Sequence, residues 1–144
     1  MATDSGSNSF LANRVDRAAL PLAVGDLLVI VAFIYAGTIQ HGTVPFPLAG
    51  AGDAVALLAV AAPFLLGWVV AAPLVGAYSA GAAESAKASV PLAVRSWIPA
   101  AAVGLILRAT PLVDGGVAVT FAVVMLVVGS VSLAVWRYVA GQFL

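Results

Sequence analysis

The sequence lacks cysteine and is poor in histidine and in charges of either sign. With Cys 0, it excludes disulfides, thiolate metal sites and cysteine nucleophiles. His41 is the only histidine, so a histidine-rich metal site is excluded as well, and no metal or cofactor is expected. Six acidic residues match the six basic ones, which leaves no basic stripe or tail for nucleic acid.

Apolar residues make up most of what is present. Of the 144 residues 63% are hydrophobic and 8% are charged, and the mean hydropathy is +1.14. An ordinary soluble domain is about 45–50% apolar and about 25% charged. A soluble globule of this size could not bury so much apolar surface, whereas a lipid-facing surface removes the difficulty. The composition therefore indicates an integral membrane protein.

The apolar residues fall into stretches long enough to cross a bilayer, which takes about 20 residues for a helix. A cleaved signal peptide is disfavoured at the first stretch, because it begins late and contains Asp26. We predict an all-α polytopic membrane protein, an antiparallel bundle of four transmembrane helices, with a polar tail at 1–18 and a membrane domain at 19–144. The predicted spans are about 19–39, 54–78, 89–109 and 117–138.

Basic residues near the ends of the spans predict the orientation of the protein. On one side of the membrane, Arg108 is the only basic residue near the end of a predicted span. Because cytoplasmic loops are enriched in Lys and Arg, we expect a plasma-membrane protein with both termini in the cytoplasm. Trp136 and Tyr138 are interpreted as an interfacial anchor. The basic residues of the predicted cytoplasmic side are Arg14, Arg17, Lys87 and Arg137.

Two charges lie well inside predicted spans, away from the ends of the helices. Asp26 lies about two turns into the first helix, and Arg95 lies about two turns into the third. These two helices run in the same direction. A charge at the centre of a membrane helix costs about 2.5–3.5 kcal/mol, and pairing reduces that cost. We hypothesise that Asp26 and Arg95 face each other in the bundle interior. Alternatively, Arg95 extends to the interface, and Asp26 caps a helix or pairs with Arg17.

A second set of polar residues lies at the opposite membrane face. One interpretation is that they are helix caps and a surface ion pair worth about 0–1 kcal/mol. The other is an entrance or lid, with a histidine able to titrate near neutral pH. This set is His41, Asp53, Arg108 and Asp114.

Two prolines and a glycine predict a kink in the second helix. Pro63 and Pro73 each remove a backbone hydrogen bond, and Gly67 lies between them. Broken helices line substrate cavities in some transporters. The same residues also fit a simple bend in a bundle.

A pattern spread over the four spans resembles the domain-of-unknown-function family 3054, small prokaryotic membrane proteins of haloarchaea and actinobacteria. The resemblance covers nearly everything from 20 to 139 and implies a four-helix membrane protein without an established activity. The matching pieces are Gly25-Asp26-Leu27, His41-Gly42, Pro63-Phe64-Leu65-Leu66-Gly67-Trp68, Trp97, Gly104, Leu107-Arg108, Phe121-Ala122-Val123-Val124 and Trp136-Arg137.

The sequence leaves two functions open. The first is a small homo-oligomeric transporter or channel, with Asp26 and Arg95 on its path. The second is a structural or accessory subunit of a larger membrane complex. Either would have the lipid bilayer and other membrane chains, or copies of itself, as partners. We expect no enzyme, because the carboxylates are scattered and no nucleophile lies near a base. The only lysine, Lys87, lies in a loop, which argues against a retinal Schiff base.

Overall fold

Four long helices form the molecule in this computed structural model, which describes residues 14–112 and 117–143. Each helix is long and apolar enough to cross a membrane. The predicted all-α, four-helix membrane fold is confirmed, and the chain is a multi-pass membrane protein. The helices are α1 (Leu20–Gln40), α2 (Ala51–Val75), α3 (Ala86–Arg108) and α4 (Val119–Phe143), preceded by a 3₁₀ turn at Arg17–Ala19.

Each helix packs against its neighbours in the chain, and α1 also packs against α4. The contacts of α3 with α2 and with α4 are the most extensive, and those of α1 are smaller. The helices thus surround one core, with α1 opposite α3 and α2 opposite α4. Four described spans place the start of α1 and the end of α4 at the same end of the bundle.

Local sequence signals set the ends of the helices. The Ser85 hydroxyl accepts a hydrogen bond from the Ala88 N–H at 3.2 Å and so caps α3. Helix α2 ends before Gly76, whose φ of 100° is left-handed and favours glycine. Compared with the predicted spans, α2 is shifted three residues toward the N-terminus, and α4 continues five residues beyond 138.

Part of the predicted polar tail is folded against the bundle. The Asp16 carboxylate accepts from the Ala18 N–H at 3.2 Å and caps the 3₁₀ turn, and Ala19 is buried. Val15 forms an isolated β-bridge with Tyr78, and the Asp16 N–H donates to the Tyr78 carbonyl oxygen at 2.6 Å. This segment therefore pairs with the loop after α2 and belongs to the packed bundle.

Aromatic rings fill the centre of the bundle. Trp97 of α3 is fully buried, and its indole N–H donates to the Met125 carbonyl oxygen of α4 at 2.9 Å. Phe33 of α1 meets Trp97 edge to face, with ring centroids 5.4 Å apart, and Phe64 of α2 lies on another side. These rings connect all four helices, so the middle of the bundle is packed rather than open.

Helix α2 is continuous through Pro63 and Pro73. The predicted kink there stays a prediction, but the role of Gly67 is now defined. A Cβ at this position would overlap the backbone carbonyl of Ala100 on α3. The absence of a side chain lets the two helices approach closely, as small residues do in membrane bundles.

We predict that Gly67→Ala lowers the melting temperature in mild detergent. The added methyl meets rigid backbone, and overpacking of this kind costs about 1–3 kcal/mol. Gly37→Ala is the matched control, because nothing lies within 4 Å of a Cβ added to that helical glycine. We expect the control to be neutral or slightly stabilising. Equal melting temperatures for the two variants, measured by circular dichroism, would contradict the proposed contact.

Candidate functional site

Two oppositely charged side chains meet inside the bundle. Asp26 lies six residues after the start of α1, and Arg137 lies six residues before the end of α4. Because these helices are antiparallel neighbours, both positions lie about 9 Å inside the same end of the bundle. Neither side chain has any exposed surface. A charge at membrane depth is costly alone, so the burial of both depends on their pairing.

The carboxylate and the guanidinium form a bidentate salt bridge. Arg137 Nε donates to Asp26 Oδ1 at 2.9 Å, and Nη2 donates to Oδ2 at 2.6 Å. Nη1 donates to the Ser89 hydroxyl at 2.8 Å, and both Nη atoms reach the Ala77 carbonyl oxygen, at 3.3 and 3.4 Å. A guanidinium has five N–H donors, and each of them has an acceptor within the protein.

Tyr78 and Trp68 extend the pair into a larger network. The Tyr78 hydroxyl donates to Asp26 Oδ2 at 2.6 Å and accepts from the Trp68 indole N–H at 2.7 Å. The guanidinium carbon of Arg137 lies 5.4 Å from the centroid of the Tyr78 ring. We call the following set the polar network: Asp26, Trp68, Ala77, Tyr78, Ser89 and Arg137.

The environment keeps the Tyr78 phenol protonated. Burial raises its pKa well above the ordinary value, and the neighbouring Asp26 carboxylate raises it further. A protonated phenol is a donor, which is the role that the Asp26 carboxylate requires of it. The electrostatics and the hydrogen-bond geometry therefore agree on one arrangement of protons.

The loop that carries Tyr78 is held from both sides. It leaves α2 through the left-handed Gly76, and its backbone pairs with the segment before α1. The Arg14 guanidinium donates to the Leu74 carbonyl oxygen at 3.3 Å, at the end of α2. These contacts direct the Tyr78 side chain into the bundle, although the residue lies outside the helices.

A glycine beside Asp26 lets α1 approach α4 at this depth. A Cβ on Gly25 would overlap the ring of Trp136, so the indole lies directly against the α1 backbone. Consecutive residues of each helix thus meet, Gly25 with Trp136 and Asp26 with Arg137. Trp136 and Arg137 were predicted to lie at the membrane interface; Arg137 is buried in the bundle and Trp136 is partly buried against its core, and their depth in the membrane stays a prediction.

The predicted pairing of Asp26 with Arg95 is wrong. Asp26 binds Arg137, and the Arg95 side chain is exposed. Successive helical residues turn by about 100°. Ala93 and Ala100 lie on the buried side of α3, and Arg95 therefore falls on the opposite side, away from the bundle. Similar depth suggested the pair, but depth without the facing direction does not determine contact.

Three residues of the predicted set on the opposite face lie within the described part of the chain. His41 is exposed just after α1, and the Asp53 carboxylate accepts from the Ala49 N–H at 2.8 Å. Arg108 lies at the end of α3 with its guanidinium carbon 4.5 Å from the centroid of the Phe121 ring. Asp114 lies outside the described residues. Asp53 thus fixes the loop before α2, and an entrance at this face stays a prediction.

Two cavities flank the 3₁₀ turn, near the polar network. The larger, of about 390 Å³, lies among α1, α3 and α4 and is mostly apolar, with Ser85 and Ser89 as its polar side chains. The smaller, of about 220 Å³, has Asp16, Ser79 and Glu84 at its walls. Within the described ranges, no three His, Cys, Asp or Glu residues are grouped to hold a metal ion.

Fold and site together define a class of protein: a four-helix, multi-pass membrane protein whose bundle is joined by a buried aspartate–arginine pair. The chain belongs to the family described as "Protein of unknown function (DUF3054)", whose model matches residues 23–140. This range contains the whole polar network, from Asp26 to Arg137. The family expected from the sequence is thus confirmed. No curated protein and no solved structure matches the chain.

Sequence reasoning named Asp26 as a site residue but missed the other five members of the polar network: Trp68, Ala77, Tyr78, Ser89 and Arg137. Arg137 was assigned to the interface because the fourth span was predicted to end at 138, whereas α4 continues to Phe143. Tyr78 was taken as the end of the second span, and Ser89 as the start of the third. The match in depth is visible only once the end of α4 is known, because Asp26 and Arg137 then lie equally far from the ends of two antiparallel neighbours.

We predict that Tyr78→Phe lowers the free energy of unfolding by about 1–3 kcal/mol, the cost of leaving a buried polar group without its partner. The variant removes the hydroxyl that binds both Asp26 and the Trp68 indole. Tyr138→Phe is the matched control, since Tyr138 is exposed and we expect a change within about 0.5 kcal/mol. Denaturant titration in detergent measures both, and an equal effect would show that the Tyr78 hydrogen bonds contribute no stability.

Proposed function

We propose that this protein is a structural or accessory subunit of a larger membrane assembly, and that it does not carry a substrate through its own bundle. The observation that supports this proposal is the closed polar network. Asp26 and Arg137 have no exposed surface, and each guanidinium N–H has an acceptor inside the protein.

A transport path needs polar groups that can exchange partners with a passing substrate. In the described part of the bundle, the buried charges are already bound to each other and to neutral hydrogen-bond partners. Releasing one of them would leave a charge unpaired in a medium of low dielectric, which costs about 3–5 kcal/mol. The polar network is therefore better suited to holding helices together than to moving an ion or solute.

With a closed interior, the function depends on the outer surface. Helix α4 is the least covered of the four: 17% of an apolar 18-residue stretch of it is buried, against 39% for α2. Its exposed side chains include Val131 and Val135, each 57% exposed. Apolar surface at membrane depth faces lipid or other membrane helices. A subunit that acts through such contacts needs no soluble domain and no internal site.

Transport by a homo-oligomer is the second candidate. The larger cavity favours this candidate. Ser89 lines that cavity and also accepts a hydrogen bond from Arg137, so the cavity lies next to the buried charges. A path of this kind would follow the boundary between copies rather than the centre of one chain. We propose no catalytic role, since Asp26 is occupied by Arg137 and no nucleophile is paired with a base in the described residues.

We also propose that the end with the polar network faces the cytoplasm of the cell that bears this plasma-membrane protein. Arg14, Arg17 and Lys87 lie at that end and Arg108 lies at the other, which follows the enrichment of basic residues in cytoplasmic loops. The chain has no cysteine, so single introduced cysteines can be labelled from each side. Labelling of an Ala80→Cys variant from outside intact cells would contradict this orientation.

The subunit proposal predicts a foreign protein at fixed stoichiometry. We would purify the tagged chain from its native membrane in two mild detergents and measure the eluted complexes by native mass spectrometry. We expect the same heteromeric mass in both detergents. A homo-oligomer or monomer without another protein would contradict the accessory role and would move the transport candidate to first place.

A further inference from the structure

Arg95 is an exposed charge near the middle of α3, and the exposed residues beside it, Pro91, Ile98 and Pro99, are apolar. The buried residues of α3 include Ala93, Trp97 and Ala100, and Arg95 lies on the opposite side of the helix. Within the described ranges it makes no ion pair and no hydrogen bond through its side chain. It therefore points away from every helix of its own bundle.

The depth of Arg95 separates it from both membrane surfaces. Helix α3 has 23 residues, and Arg95 lies two residues from the middle one, about 3 Å along the axis. The hydrocarbon core is about 30 Å thick, so lipid phosphates lie about 15 Å or more from its centre. A side chain that starts this deep is poorly placed for a headgroup, even when its stem leans toward the start of α3.

The backbone at the same turn adds a second polar group. Pro99 has no N–H, so the Arg95 carbonyl oxygen lacks its usual helical donor. Freed carbonyls in a membrane helix need another partner. Pro91, Arg95 and Pro99 are all exposed, and they follow one another at intervals of four residues on one stripe. We call the stripe Pro91, Arg95 and Pro99 the Arg95 face.

We propose that the Arg95 face docks a transmembrane helix of a different protein, and that this helix carries a carboxylate near the middle of the membrane. The inference rests on the proposed function and deepens it by naming the chemistry of the partner. A carboxylate would neutralise the guanidinium in a medium where the unpaired charge is unfavourable. A donor group on the same helix would satisfy the Arg95 carbonyl.

A second copy of this chain does not supply that carboxylate from its described residues. Asp26 is sealed against Arg137. Asp16 and Glu84 lie outside the four helices, and Asp53 lies in the first turn of α2. None of them is near the middle of a span, so charge complementarity at the depth of Arg95 favours a different protein.

A synthetic transmembrane peptide tests this chemistry directly. The probe is a polyleucine helix with one central glutamate, and its controls carry glutamine or leucine at that position. The full chain is labelled at an Ala80→Cys site, the only cysteine it then has. Energy transfer between the two is measured in vesicles of phosphatidylcholine. We expect the glutamate peptide to bind at least about tenfold more tightly than the leucine peptide, as expected for a specific buried charge pair.

Variants assign the binding to Arg95. Arg95→Leu should bind the glutamate and leucine peptides equally, and Arg95→Lys should keep a preference for glutamate. Arg17→Gln is the matched control, because Arg17 is exposed at the end of the bundle, and it should leave the preference unchanged. An unchanged melting temperature of Arg95→Leu in detergent would show that the bundle is intact.

Three results would overturn the proposal. The first is equal binding of the glutamate and leucine peptides to the wild-type chain, and the second is an unchanged preference in Arg95→Leu. The third is retention of phosphatidylglycerol by Arg95, seen by native mass spectrometry, without binding of the glutamate peptide, which would identify a lipid site. Beyond these three, co-purification of the foreign subunit with Arg95→Leu at full stoichiometry would also overturn the proposal, because the contact would lie elsewhere, while the accessory role would stand.

Discussion

The salt bridge between Asp26 and Arg137 is the constraint on which the rest of the structure depends. Either charge alone is unfavourable at membrane depth, so α1 and α4 are held at the register that brings the two together. The spare donors of the guanidinium then require Ser89 of α3 and the Ala77 carbonyl after α2. The Tyr78 hydroxyl donates a further hydrogen bond to the Asp26 carboxylate and accepts one from the Trp68 indole. One ion pair thereby fixes all four helices at a common depth.

Charges are placed differently inside the bundle and on its outer surface. Inside, every polar group of the salt bridge is matched, and aromatic packing around Trp97 fills the centre of the fold. Outside, the helices present apolar side chains that are compatible with lipid. Arg95 departs from that pattern, because it lies near the middle of α3 and faces outward. The closed interior and the outward Arg95 are the two observations on which we base the proposal of contacts with other membrane proteins.

The sequence predicts the four spans because apolar runs of about 20 residues are a strong signal. It predicts Asp26 as a buried charge for the same reason, since an acidic residue inside such a run needs a partner. The partner was harder to identify, because it depends on helix direction and on where α4 ends. Tyr78 could not be found from periodicity at all, since a loop side chain enters the bundle only through the turn at Gly76 and the pairing with Val15.

The most direct test of the salt bridge is a double-mutant cycle on Asp26→Asn and Arg137→Gln. The free energy of unfolding in detergent is measured for the wild type, both single variants and the double variant. Each single change should cost about 3–5 kcal/mol, because it leaves a buried charge or its partners unmatched. The double variant should cost less than the two single costs added together, by up to about 3 kcal/mol. Additive costs would show that the two side chains do not stabilise the bundle as a pair.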